Sequence, residues 1–300
     1  MFSKIDSIEY FLPRKRNLFS INFKKIYSKT GILNTRICNK NQDVIDLAYR
    51  ACAKLKKKLI NNVDTIIFVT QTPRYLLPSC SCILQEKLKL KKDIYSVDLN
   101  MGCSGYIYGL SVADSIIRSG IGKKVLLVCS DTYSKYIDKK NTNKYIFSDG
   151  ASATIIKKSN KEKIFNFSFH TDGSKHKSII IDKVNEIEKF SMKGSDVFAF
   201  TLEQVPLNIK KYLKRYKKKI SFFKKIFLHQ ASGIILDNLK RKLNSDIIYK
   251  DIKYIGNTTS SSIPISIANA KRRGKIKKND NLLLCGFGVG LSLGITSVKL

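Results

Sequence analysis

Residues 98–110 read DLNMGCSGYIYGL. The apolar run that ends at Val97-Asp98-Leu99 gives way to small residues around Cys103. The apolar pattern then resumes at Tyr106, Ile107 and Leu110 with helical spacing. This order predicts a strand, a tight turn carrying Cys103, and a helix that starts just after the cysteine.

Outward from this turn, strand-like and helix-like runs alternate. DTIIFVTQT (64–72) and KKVLLVCS (123–130) are short, branched and continuous, as strands covered on both faces are. QDVIDLAYRACAKLKKKL (42–59) has helical spacing, with Val44, Leu47, Ala48, Ala51 and Leu55 on one side. The alternation predicts an α/β fold.

A second copy of the pattern is legible. TIIFVTQT aligns with KKIFLHQA (224–231), setting Thr70-Gln71 against His229-Gln230 at an offset of 159. LQEKLKL from Leu84 aligns with LKRKLNS from Leu239 at an offset of 155, and RSG (118–120) with RRG (272–274) at 154. Both of the last pair lead into apolar strands ending at Cys129 and Cys285. Four matches in one order predict a duplicated fold with pseudo-twofold halves, 1–158 and 159–300. Carried back by 154, Cys103 falls on Asn257 in YIGNTTSSSIPISIANAKRRG. Equivalent turns meet near a pseudo-twofold axis, so Cys103, His229 and Asn257 are expected around one cavity.

These residue types suit acyl-thioester chemistry. A cysteine at a helix start is expected to gain thiolate character from unpaired N–H groups and the helix dipole. His229 ends a strand, where α/β sites gather, and Asn257 supplies a neutral amide donor. Two neutral donors stabilise an enolate without repelling an anionic substrate. His170 and His176 in FHTDGSKHKS, and cysteines 38, 52, 80, 82, 129 and 285, are read as structural. With three histidines and no CxxC pair, no metal site is expected.

Bulk composition allows one large domain or two intimately packed halves: 43% of 300 residues are hydrophobic, enough to bury a sizeable core. The net charge of +33 favours anionic partners. Lysine dominates the charge runs, whereas base readout favours arginine forks, so nucleic acid is not an expected partner. An odd cysteine count fits a reducing compartment. The N-terminal stretch has no apolar core of the secretory type and no run is long enough to cross a bilayer, so a cytoplasmic protein without membrane contact is expected.

Over essentially its whole length the chain resembles the type III β-ketoacyl-acyl carrier protein synthases of the thiolase superfamily. The segments that carry the resemblance are MGCSGY, LHQAS and GNTTSSSIPISIANAKRRGKI. SKTGI (28–32), LPS (77–79), FSDGASATI (147–155), HTDGS (170–174) and GFGVGLSLG (286–294) add to it. The resemblance implies a layered αβαβα thiolase-like fold. It also implies that Cys103 is acylated by a thioester, and that His229 and Asn257 promote decarboxylation of a malonyl thioester for Claisen condensation. The backbone N–H groups of Cys103 and Val289 would form the oxyanion site, and Phe147 and Gly288 would line the acyl channel. Acyl carrier protein is the implied partner, coenzyme A thioesters are possible donors, no cofactor stays permanently bound, and the assembly is a homodimer.

The chain departs from the family pattern at several of these places. Val289 stands where glycine is usual, and valine disfavours positive φ. At the coenzyme A entrance, Lys25 replaces a tryptophan, Lys140 or Asn141 an arginine, and Lys29 and Leu33 two more arginines. Lys25 and Lys29 are therefore expected substrate-binding residues of altered character. Two other readings compete: an acyltransferase of this fold acting on an amine or alcohol without condensation, and a non-catalytic basic binding protein.

Overall fold

In a computed structural model the described residues are 2–17, 23–138, 140–184 and 187–300. The chain opens with β1 (Phe2–Phe11), then β2 (Arg14–Asn17), α1 (Phe23–Thr30), β3 (Asn34–Ile37), α2 (Val44–Cys52) and α3 (Lys57–Ile60). It continues through β4 (Thr65–Val69), α4 (Cys80–Lys87), β5 (Tyr95–Leu99), α5 (Gly105–Ser119), β6 (Lys124–Asp131) and β7 (Gly150–Ser159). Next come β8 (Ile164–Thr171), β9 (Ile179–Val184), β10 (Ile187–Met192) and α6 (Gly194–Arg215). The last elements are β11 (Lys225–Leu228), α7 (Gly233–Leu243), α8 (Ser262–Arg272), β12 (Asn281–Gly288) and β13 (Ser292–Lys299).

Two sheets dominate. The first has the order β1-β7-β6-β4-β5, the second β8-β13-β12-β11. In each, an antiparallel pair leads to a third antiparallel strand, which then pairs in parallel with its neighbour. A single parallel bridge, Ile226 to Ile248, stands in the second sheet where β5 stands in the first. The helix ends repeat as well. Lys89 and Asn244 take positive φ of 53° and 45°, and Gly120 and Gly274 take 83° and 64°, at the offsets of 155 and 154 read from the sequence.

The period-two alternation of the strands sorts the core into layers. Ile66, Phe68, Leu126 and Val128 point to one side, into a cluster with Leu47 and Ala48 of α2 and Leu84 of α4. Ile67, Val69, Val125 and Leu127 point to the other, against Ile107 and Leu110 of α5 and Ile263 and Ile267 of α8. Phe227, Leu282 and Leu284 of the second sheet close that same cluster from its far side. Ile226, Leu228, Leu283 and Cys285 face outward onto Val205 and Ile209 of α6 and Leu236 and Leu239 of α7. The architecture is thus αβαβα, with α5 and α8 as the shared central layer. A strand covered on both faces has no solvent side, which is why β4 and β6 read as continuous apolar runs.

The helical pattern over 42–59 is two helices, not one. Asp43 caps α2 by accepting from the N–H groups of Ile45 and Asp46, and Asp46 reciprocates, forming a capping box. The chain then turns after Cys52 so that Leu55 and Ile60 reach the same core cluster. Of the cysteines read as structural, all are buried except Cys82, which is exposed.

Candidate active site

Cys103 lies two residues before α5, whose capping residue is Ser104. Its residue is 5% exposed. The end of β12 crosses directly over it. A Cβ on Gly286 would stand 2.8 Å from Ser104 Cα, and one on Gly288 would stand 2.7 Å from Cys103 Cβ and 3.1 Å from its Sγ. Gly288 also has φ of +157°, so both space and conformation demand glycine there. Beyond it, Val289 is not among the residues with positive φ; the flanking Gly288 and Gly290 absorb that requirement. The valine is therefore accommodated without the conformational conflict its sequence position raises. The backbone N–H groups of Cys103 and Val289 favour the charged form of the thiol.

The expected thiolate is not what burial allows. Desolvation pushes the Cys103 thiol up to about 12, the negative charge of Asp131 adds to the rise, and the two backbone hydrogen bonds only partly oppose it. A charge in a closed site next to a carboxylate costs more than a helix start returns. Burial therefore holds Cys103 as a neutral thiol.

His229 sits at the end of β11, 2% exposed. Its Nδ1 is 2.7 Å from Ser262 Oγ, the first residue of α8, and its ring meets Phe287 edge-on at 5.5 Å between centroids. Phe287 and Gly288 are consecutive, so one strand end touches the imidazole with one residue and the cysteine with the next. Burial lowers the His229 pKa to about 3, opposed by a backbone hydrogen bond to Thr259. The imidazole is neutral at physiological pH.

Asn257 is buried, and its backbone bridges to Phe147. Its Oδ1 accepts from Thr259 N at 2.9 Å. With that oxygen engaged, the amide presents its N–H₂ as a donor. Thr259 thus links the turn of Asn257 to the ring of His229. Thr259 itself is held at φ of +47°, unusual for a β-branched residue. Its Oγ1 and the Oγ of Ser260 donate to Asp131 Oδ2 at 2.5 and 2.6 Å. Asp131 Oδ1 accepts from Gln71 N at 2.9 Å and Thr70 Oγ1 at 3.2 Å. This buried carboxylate ties the ends of β4 and β6 to the 257–261 turn. The end of β12 thus touches both Cys103 and His229, and Thr259 connects the turn of Asn257 to the same imidazole.

Phe147 stacks on Tyr133 at 5.2 Å and meets Phe190 edge-on at 5.1 Å. A cavity of about 150 Å³ adjoins them, lined by Gln71, Tyr133, Phe190 and Val289 among others. Lys29 is exposed in the last turn of α1. The side chain of Lys25 lies outside the described residues. Sequence reading missed Asp131, Ser262, Tyr133 and Phe190. Ser262 lies within the quoted GNTT segment and Asp131 ends an apolar strand, so both had a positional signal; Phe190 had none.

The chain is 34% identical to a β-ketoacyl-[acyl-carrier-protein] synthase III of Fusobacterium nucleatum, covering 98% of both chains. The chain belongs to the β-ketoacyl-acyl carrier protein synthase III family. A Clostridium tetani synthase III is also 34% identical, over 94% of this chain and 91% of its own. Family models described as 3-oxoacyl-[acyl-carrier-protein (ACP)] synthase III and its C-terminal region match residues 97–173 and 213–300. A 3-oxoacyl-(acyl-carrier-protein) synthase III crystal structure superposes with a TM-score of 0.95 at 30% identity, covering both chains fully. The Aquifex aeolicus synthase III superposes at 0.92 with 28% identity, covering 99% of this chain and 100% of the other. The fold is thiolase-like and the chain is a condensing transferase of this type. The reading as an acyltransferase without condensation is not favoured. Among the described residues, no helix is long and apolar enough to cross a membrane.

Proposed function

We propose that the chain performs decarboxylative Claisen condensation by a two-step exchange at Cys103. In the first step Cys103 sulfur bonds to the acyl carbon of a thioester. The donor's carbon–sulfur bond breaks, and the thiol proton passes through His229 to the departing thiol. The tetrahedral oxyanion forms beside the N–H groups of Cys103 and Val289. In the second step a malonyl thioester binds with its carbonyl oxygen at His229 and Asn257 and loses carbon dioxide. The electron pair of the broken bond becomes an enolate held by those two neutral donors. The enolate carbon attacks the acyl-cysteine, a carbon–carbon bond forms, and Cys103 leaves and is reprotonated.

The observation that carries this reading is the passage of the β12 end over Cys103, with Gly288 against the sulfur and the adjacent Phe287 against the neutral His229 imidazole. Ser262 supports the role of His229. Its Oγ accepts from Gln230 N at 3.4 Å, which frees its proton for Nδ1 and leaves the imidazole N–H on Nε2. Phe147 and Gly288 bound the acyl channel, Gly288 by admitting the strand end to the cysteine. The donor is a phosphopantetheine thioester on an acyl carrier protein, to which the +33 charge is complementary, or a coenzyme A thioester. Lysine at position 29 offers a point charge to phosphate at the mouth. No cofactor stays bound.

We further place the enzyme in the cytoplasm as a homodimer of two-part protomers, 1–158 and 159–300. Tyr75, Leu76 and Leu77, which are 53%, 87% and 87% exposed, form an apolar run that a second copy would cover. Light scattering of the purified chain tests this: a monomeric mass refutes it. Incubation with acyl-acyl carrier protein or acyl-coenzyme A, followed by intact-protein mass spectrometry, tests the chemistry. One acyl group is expected on Cys103 and none in Cys103→Ala. Failure of both donors to acylate the protein overturns the first step, and acylation without carbon dioxide release from malonyl thioester overturns the second.

A further inference from the structure

At the end of the sheets away from Cys103, β1 and α8 border a cleft of about 550 Å³. Strand register fixes its position. Lys4 pairs with Lys157 on β7, and Lys157 with Lys124, the first residue of β6, whose last residue is the Asp131 of the catalytic turn. Lys299 pairs with Asn281, the first residue of β12, whose last residue is Gly288 over Cys103. Seven strand steps separate the two ends, roughly 20 Å.

The cleft combines an apolar part, with Ile5, Ile8, Ile267 and Ala268, and six cations: Lys4, Lys163, Lys271, Arg272, Lys278 and Lys299. Its two acids are already engaged, Asp6 with Lys157 at 2.6 Å and Glu9 with Arg272 at 2.5 Å. The five lysines make no ion pair among the described residues, and Lys4, Lys163 and Lys299 are half-buried. Lys163 shows the consequence. Burial and the positive charges of Lys299, Lys161, Lys4 and Lys278 hold its ammonium below the usual lysine range. Its amine has Asn279 Oδ1 as a neutral partner at 3.3 Å.

Lysines scattered over a convex surface cost little, because water and salt screen them. Half-buried lysines gathered in a concavity repel each other, and a bound polyanion removes that cost. The volume fits a small ligand, whose sites span roughly 300–1,000 Å³. Point-charge ammonium groups suit phosphate, and the one arginine is committed to Glu9. Several cations beside an apolar wall call for several phosphates on an apolar or aromatic body. We propose that this cleft binds a small polyphosphate ester of that kind, the chemistry of a nucleotide polyphosphate, at a site separate from Cys103.

The test titrates the full-length protein with trinitrophenyl-ATP at low and high salt, with ATP, tripolyphosphate and AMP as competitors. Saturable binding is expected, weakened by salt, and displaced by ATP and tripolyphosphate more readily than by AMP. Lys163→Gln with Lys299→Gln should raise Kd at least about tenfold, and so should the exposed pair Lys271→Gln with Lys278→Gln. Both double variants should keep Cys103 acylation, which separates this site from the catalytic mouth. Without ligand, the first double variant should melt no lower than wild type, because repulsion is relieved. The proposal is overturned if nothing saturable binds, if both double variants bind as wild type does, or if a DNA or RNA oligonucleotide outcompetes ATP.

Discussion

Replacing Asp131 separates its two effects, one on the fold and one on the cysteine. The carboxylate is buried, and five groups donate to it: Gln71 N, Thr70 Oγ1 and, at 3.5 Å, Thr72 Oγ1 on one oxygen, Thr259 Oγ1 and Ser260 Oγ on the other. Asparagine keeps an acceptor for Gln71 N, and its N–H₂ replaces the oxygen facing Thr259 and Ser260. Hydroxyls accept as well as donate, so both can rotate and remain paired. Alanine has no such remedy. It leaves the Gln71 N–H and the hydroxyls of Thr70, Thr72, Thr259 and Ser260 without this acceptor in a closed site, and each buried orphan costs ~1–3 kcal/mol. Allowing for partial rearrangement, Asp131→Ala should be less stable than Asp131→Asn by about 2–5 kcal/mol. Urea unfolding of the two variants at neutral pH measures the difference.

The second effect is electrostatic. Asp131's negative charge contributes to the elevation of the Cys103 thiol, so neutral asparagine at 131 should bring the thiol below its wild-type value of about 12. The pH profile of Cys103 alkylation by iodoacetamide should shift toward lower pH in Asp131→Asn. Burial also raises the Asp131 pKa itself. A group whose folded pKa is raised contributes its stability below the unfolded value near 4 and loses it as pH rises through the folded value. The carboxylate is therefore a net electrostatic cost at neutral pH that asparagine lacks. Equal stability of the alanine and asparagine variants, or an alkylation profile that stays put or moves upward, would refute this account of the network.

Gly288→Ala should abolish acylation, because the new Cβ would stand 2.7 Å from Cys103 Cβ at φ of +157°; acylation at the wild-type rate in mass spectrometry would contradict the close approach. Ser262→Ala should slow malonyl decarboxylation by about two- to twelvefold, the loss of one ~0.5–1.5 kcal/mol hydrogen bond to the neutral imidazole. It should leave the acylated fraction at saturation unchanged, and equal losses in both would make Ser262 merely structural. His229, lowered to about 3 from an unfolded value near 6.5, contributes fully above pH 6.5 and loses that contribution as pH falls toward 3, by about 1.4 kcal/mol per pH unit. His229→Gln should flatten the dependence of unfolding free energy on pH across that window, and an unchanged slope would show that the ring is not buried neutral. Gly233→Ala should destabilise by about 1–3 kcal/mol, since its Cβ would meet Gly31 Cα at 2.9 Å and Thr30 O at 3.0 Å; a thermal midpoint equal to wild type would refute the tight α1–α7 contact.

What was legible in the sequence was whatever repeats or follows a period. The apolar runs of β4 and β6 announced strands covered on both faces, and the offset of 154 aligned the turn of Asn257 with that of Cys103. Local patterns could not say how deep a turn would lie. The helix-start argument for Cys103 is sound at a surface, and it fails here because β12 closes over the sulfur through Gly286 and Gly288. Asp131 escaped notice because its partners come from residues 70–71 and 259–260, far apart in sequence. The 42–59 pattern hid a break because both helices send their apolar residues to one cluster.

The depth of the site changes how the proposed chemistry must work. A cysteine held up at about 12 beside a histidine held down at about 3 cannot rest as an ion pair. Acylation must therefore move the proton only as the sulfur attacks, with the oxyanion N–H groups taking up the charge that develops. The same neutrality serves the second step. An imidazole that resists protonation stays a neutral donor to the enolate oxygen, where an imidazolium would protonate it and end the reaction before carbon–carbon bond formation. One buried, uncharged histidine thus accepts a slower first step in exchange for a competent second one. An exposed, half-charged histidine at 229 would reverse that balance.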